Sequence, residues 1–115
     1  MFQAERVLTR QSLAPAAALF RSLGDPARLA IVRRLALGDA RVVDLVAALG
    51  LAQSTVSRHL ACLRDCGLVD SRPSGRASLF TLIQPALLGV LGSAETVLNA
   101  TGNAVALCPN YREAR

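Results

Sequence analysis

A mainly α-helical domain carrying one small β-hairpin is the fold class this sequence predicts, and three observations predict it. Four stretches before Gly67 repeat apolar residues at helical spacing. From Leu68 to Leu82 the pattern changes to short apolar and polar alternation around Pro73-Ser74-Gly75-Arg76. After Pro85 a last helical stretch is more apolar than one small core requires.

The first helix is expected over Leu13 to Leu23, with Gly24 as its stop. Asp25-Pro26 then supplies a capping side chain and a proline at the first helical position, so a second helix is expected to about Leu37, with Leu29, Val32, Leu35 and Ala36 on one face. Gly38-Asp39 ends it, and Asp39 is expected to cap the third segment. That segment, Arg41 to Leu49, places Val42, Leu45, Val46 and Leu49 on one stripe and breaks at Gly50. The fourth helix is expected from Gln53-Ser54 to Cys66, with Val56, Leu60 and Leu63 inward and Gly67 as its stop. Pro73 to Arg76 reads as a hairpin tip, which would make a wing. The last helix, Ala86 to Ala100, carries Leu87, Leu88, Val90, Leu91, Val97 and Leu98 and is assigned to a dimer interface.

One domain over 1–115 accommodates these segments: first helices at 13–40, a helix-turn-helix at 41–66, the wing at 67–83, the dimerisation helix at 84–100 and a tail at 101–115. A chain of 115 residues holds one compact core but no separate catalytic domain beside it. Residues of hydrophobic type make up 52% of the chain and aromatic ones only 3%, so the apolar surface is carried by Leu, Val and Ala. That excess again points to a buried oligomer contact.

The net charge of +5 comes from 13 basic residues, all of them arginine. Arginine grips phosphate with two parallel hydrogen bonds, so an anionic partner fits; the same bias arises from base composition alone, and the motifs must decide. No apolar run approaches the roughly 18–20 residues of a spanning helix, and Met1 to Arg10 alternates charges where a signal peptide would be apolar, so a cytoplasmic location is expected. In a reducing compartment the odd set Cys62, Cys66 and Cys108 points away from a disulfide framework and toward metal, redox chemistry or inert burial.

Two short helices joined by a glycine turn, the second polar on its leading face, form the arrangement that places side chains in a DNA major groove. Here the second begins QSTVSRHL, so Gln53, Ser54, Thr55, Ser57, Arg58 and His59 are the expected contacts to bases and phosphates. Arg72 and Arg76 flank the wing tip, where they suit phosphates or the minor groove; either could equally be a solvated turn residue. The architecture these features define is a winged helix-turn-helix, and a symmetric dimer would meet half-sites about one helical turn apart.

The run LFRSLGDPARLAIVRRLALGDARVVDLVAALGLAQSTVSRHLACLRDCGLV, with a Gly-Arg wing tip and SLFTL after it, resembles the ArsR/SmtB family of metal-sensing repressors over about residues 15–100. The resemblance implies a dimer that holds operator DNA when ligand-free and leaves it when a metal binds.

Cys62 and Cys66 lie four residues apart on the expected helix, which puts their Cβ atoms on one face about 5–6 Å apart, near enough to share an ion. Cysteine is also a common small core residue, so the pair alone decides nothing. Cys108 sits in a polar, proline-containing tail with no evident core to join, and is the third candidate ligand. Three soft thiolates without a carboxylate set favour Cd(II) or Pb(II), with As(III) next. Within the family, a cysteine pair inside CLRDCGLV plus one tail cysteine is similar to the cadmium and lead sensors, and on that resemblance Cys62, Cys66 and Cys108 carry the metal. Residues 41–49 lack the cysteine pair of arsenic sensors, and the last helix has only Glu95 where other members place a zinc site. His59, one turn before Cys62, is a possible fourth ligand but fits packing or a phosphate contact better.

The expected mechanism is that pinning the end of the DNA-facing helix to the tail reorients it. Thiolate sites supply on the order of 10 kcal/mol, and a coupling of about 1–3 kcal/mol empties an operator several-fold to a hundredfold. Two alternatives remain open: a repressor of the same fold that senses oxidant or persulfide through its thiols, and a cysteine-based metal carrier without an operator. Enzyme activity is not expected, because the one histidine has no evident nucleophile or acid partner and no phosphate-binding glycine loop occurs.

Overall fold

The computed structural model describes residues 8–107, and within them the expected helices and hairpin form in the expected order. Helix α1 spans Ala14–Leu23 and α2 spans Pro26–Leu35; strand β1 is Ala40–Arg41; α3 spans Val42–Leu49 and α4 Gln53–Asp65; strands β2 and β3 are Val69–Ser74 and Ala77–Leu82; α5 spans Ala86–Ala100.

Local chemistry sets most of the boundaries. Asp25 caps α2 by accepting the Ala27 and Arg28 N–H groups, with Pro26 next to it where no N–H is needed. Gly50 ends α3 in the left-handed region at φ 68° and turns the chain into α4. At the far end of α4 the Leu68 N–H bonds the Leu63 carbonyl and the Gly67 N–H bonds that of Arg64, with Gly67 at φ 76°. This is a Schellman stop, and it fixes Cys66 as the cap residue between helix and wing.

Helices α1 and α3 start, and α4 ends, one residue inside the expected bounds, and three further features differ from the sequence expectation. Helix α2 ends at Leu35 instead of about Leu37, because Ala36 to Gly38 tighten into turns. The short strand β1 was not expected; Ala40 and Arg41 pair antiparallel with Phe80 and Leu79, giving a sheet of order β1-β3-β2. That pairing extends the chain before α3, so Asp39 does not cap the helix. Asp44 does so instead, accepting the Arg41 N–H at 2.9 Å.

In the hairpin, β2 and β3 pair from Val69↔Leu82 to Ser74↔Ala77, leaving Gly75-Arg76 as a two-residue turn with φ 65° at Gly75. The core lies where one face of each helix meets the sheet: Ile31, Val32 and Leu35 of α2, Leu45 of α3, Val56, Leu60 and Leu63 of α4, and Leu87 and Leu91 of α5. Each stripe follows its helical period, so burial of these side chains at about 1.5–3 kcal/mol apiece orients α3 and α4 against α2 and turns their other faces outward.

Candidate nucleic-acid interface and thiol pair

Burial of Val56, Leu60 and Leu63 leaves Gln53, Ser54, Ser57 and Arg58 exposed over the first turns of α4, with Thr55 half-buried beside them. No side chain caps the N-terminus of this helix at Ala52, so its first N–H groups favour an anion there. His59 is placed differently from the other expected contacts. It is only 8% exposed, with Nδ1 3.3 Å from Arg28 Nη1 and Nε2 3.9 Å from Asp25 Oδ1. The helical period turns it toward α2, which removes it from the outward-facing set.

The two wing arginines also part company. Arg76 sits exposed in the turn itself. Arg72 donates from Nη2 to Asp39 Oδ2 at 3.1 Å and so braces β2 against the segment ahead of β1. A hydrogen bond from the Thr81 side chain, and then the Arg72 guanidinium, hold the Asp39 carboxyl below its ordinary value.

Cys62 and Cys66 keep their one-turn relation, since the Cys66 N–H bonds the Cys62 carbonyl at 3.1 Å. Cys62 is half-buried and Cys66 exposed, and both are free thiols. Cys66 borders a cleft of about 350 Å³ lined also by Leu19, Leu68, Gln84, Leu87 and Val90. Its sulfur lies 2.7 Å from the hydroxyl of Ser22. Among the described residues no three His, Cys, Asp or Glu side chains converge on a metal-sized point. Two soft donors therefore fit a thiophilic ion in part, and Cys108, the expected third, lies outside the described residues. The contact with Ser22 was not legible in the sequence, because nothing in the spacing of residues 44 apart announces it.

A second feature faces outward from α1 and α5. Phe20, Val90, Ala94, Val97 and Leu98 line a broad apolar groove of about 850 Å³, and Phe20 and Val97 are more than 60% exposed. Among the described residues no helix is long and apolar enough to cross a membrane.

A helix-turn-helix whose second helix presents amide, hydroxyl and guanidinium groups beside a basic-tipped hairpin defines a winged-helix DNA-binding regulator. Residues 25–71 match the model of the bacterial regulatory protein, arsR family, and the chain belongs to that family. It is 42% identical over 84 residues to the HTH-type transcriptional regulator CmtR of Mycobacterium tuberculosis, covering 73% of this chain and 71% of that one. It is 34% identical over 91 residues to the probable mercury resistance operon repressor of Streptomyces lividans, covering 79% and 71%. Among solved structures, the NMR structure of the cadmium metal-sensor CMTR from Mycobacterium tuberculosis superposes with a TM-score of 0.60 at 41% identity, covering 71% of this chain and 85% of that one. These relatives are regulators of transcription, and the chain is a DNA-binding regulator rather than an enzyme.

Proposed function

We propose that this protein is a dimeric repressor that holds operator DNA through α4 and the wing and releases it when Cd(II) or Pb(II) binds Cys62, Cys66 and Cys108. The observation that carries the reading is the pair of free thiols one turn apart at the C-terminal end of the DNA-facing helix. Two thiolates there suit a large, soft cation, and a ligand from the tail would complete a three-sulfur site. The names of the relatives, a cadmium sensor and a mercury resistance repressor, agree with a soft ion, and As(III) is the next candidate.

The direction of the response is set by position. Cys66 caps α4 at the Schellman stop, so drawing its sulfur toward the tail loads the joint between the DNA-facing helix and the wing. Gln53, Ser54, Thr55, Ser57 and Arg58 at the other end of α4, with Arg76 on the wing, then lose their common alignment to one groove. A coupling of about 1–3 kcal/mol is enough for release.

The experiment is titration of the reduced protein with Cd(II), monitored by the ultraviolet thiolate-to-metal band, with binding to a labelled duplex from upstream of the coding sequence measured in parallel. One ion per subunit, weakened by each of Cys62→Ser, Cys66→Ser and Cys108→Ser and accompanied by loss of the duplex, is the expected result. A band indifferent to Cys108→Ser would reduce the site to two cysteines. No band at all would overturn metal sensing.

A further inference from the structure

Ser22 ends α1 next to Leu23 and is 3% exposed, in surroundings where a hydroxyl is kept only if hydrogen-bonded. Its Oγ meets Cys66 Sγ, and either atom can donate. Its carbonyl accepts from Arg28 Nε at 2.6 Å, while Nη2 of the same guanidinium donates to the Arg21 carbonyl at 3.0 Å. The third nitrogen, Nη1, reaches His59 Nδ1, and the far side of that imidazole faces Asp25, the cap of α2. His59 of α4 and Cys66, the cap of that helix, lie two turns apart, yet they are also joined across the molecule through the end of α1 and the start of α2.

We propose that Ser22 is the positioning residue of the thiol site: its hydroxyl orients Cys66, and the Ser22 carbonyl and Arg28 pass the state of that sulfur to His59 in the middle of α4. The proposal rests on Cys62 and Cys66 being metal ligands. When the thiol binds a soft cation its proton leaves to solvent, and the sulfur thereafter can only accept a hydrogen bond. The hydroxyl must then be the donor, so a contact of two possible polarities acquires one. A partner of this kind fixes the orientation of a ligand and is worth about 10–100-fold in metal affinity. Because Arg28 grips the same residue by its carbonyl, a shift of Ser22 moves the guanidinium that His59 leans on.

Full-length wild type, Ser22→Ala, Ser22→Thr and Arg28→Lys are compared for Cd(II) affinity, by competition with a chelator, and for the fold-loss of duplex affinity at saturating Cd(II). Ser22→Ala is expected to bind Cd(II) about 10–100-fold more weakly and to show a smaller fold-loss, while its metal-free duplex affinity is unchanged. Ser22→Thr, which keeps the hydroxyl, restores both. Arg28→Lys, which cannot span two carbonyls and an imidazole, keeps Cd(II) affinity but loses coupling. Ser22→Ala with wild-type affinity and coupling overturns the role of Ser22 alone, and unchanged coupling in Arg28→Lys overturns the relay even where Ser22→Ala does not fold. A wild type without a thiolate-to-metal band overturns the metal site and this proposal together.

Discussion

Asp25 accepts the Ala27 N–H at 2.8 Å and the Arg28 N–H at 3.1 Å, and its carboxylate faces His59. The Arg28 N–H first, then that of Ala27 and the charges of His59 and Arg28, outweigh desolvation and hold the carboxyl below its ordinary value of 3.8. A carboxylate with a depressed folded value stabilises the fold fully above its unfolded value, and that contribution disappears as the pH falls through the folded one. Asp25→Asn keeps a capping oxygen but has no charge to lose. Melting temperature measured against pH is therefore expected to fall more steeply below pH 3.8 in the wild type than in Asp25→Asn, the two curves converging in acid. Parallel curves would show that the carboxylate charge adds nothing to the cap. At this scale the sequence was informative where a residue acts on its near neighbours: the Asp25-Pro26 cap is visible as a dipeptide. It was uninformative where the partner is distant, since neither Ser22 against Cys66 nor Arg28 against His59 leaves a periodic or compositional trace.

The wing shows how an element assigns different work to similar residues. Arg72 and Arg76 are alike in a one-dimensional reading, both flanking a turn. The register Ser74↔Ala77 puts Arg76 in the turn, whereas Arg72 lies opposite Leu79 on the strand and meets Asp39. A phosphate contact by Arg72 must compete with that carboxylate, and one by Arg76 has no such competitor in the turn. Each phosphate contact contributes about 0.9 to the slope of log affinity against log salt. Arg76→Ala, which removes one such contact from each copy, is expected to lower that slope by about 1.8 per dimer on any duplex, and Arg72→Ala to lower it less while reducing thermal stability. Equal slopes for wild type and Arg76→Ala would exclude the tip from the interface. The helices and the hairpin were legible because caps, glycine stops and apolar stripes agree. Strand β1 was not, because two residues are too few to show alternation, and missing it misassigned Asp39 as a helix cap.

At the scale of the whole molecule, the described residues leave an apolar face that the core does not use. Helix α5 buries Leu87 and Leu91 inward, while Val97 and, across the groove, Phe20 of α1 stand in solvent. In a chain with 52% hydrophobic residues, such an exposed apolar face marks a contact surface. Isologous pairing of that face would bury the groove and set two copies of α4 facing one side of a duplex, which is what half-sites about 34 Å apart require. Val97→Glu tests this without touching the core, since the side chain is 61% exposed. A carboxylate on each copy of a closed apolar interface would lack a partner there and favour separation. Sedimentation is expected to show a dimer for the wild type and a folded monomer for Val97→Glu, with duplex affinity falling because one winged helix reaches only one half-site. A Val97→Glu protein that stays dimeric would move the interface elsewhere on the surface. A wild type that sediments as a monomer yet holds the full duplex would remove two-fold symmetry from the account of DNA binding, leaving α4 and the Arg76 turn of a single copy to carry it.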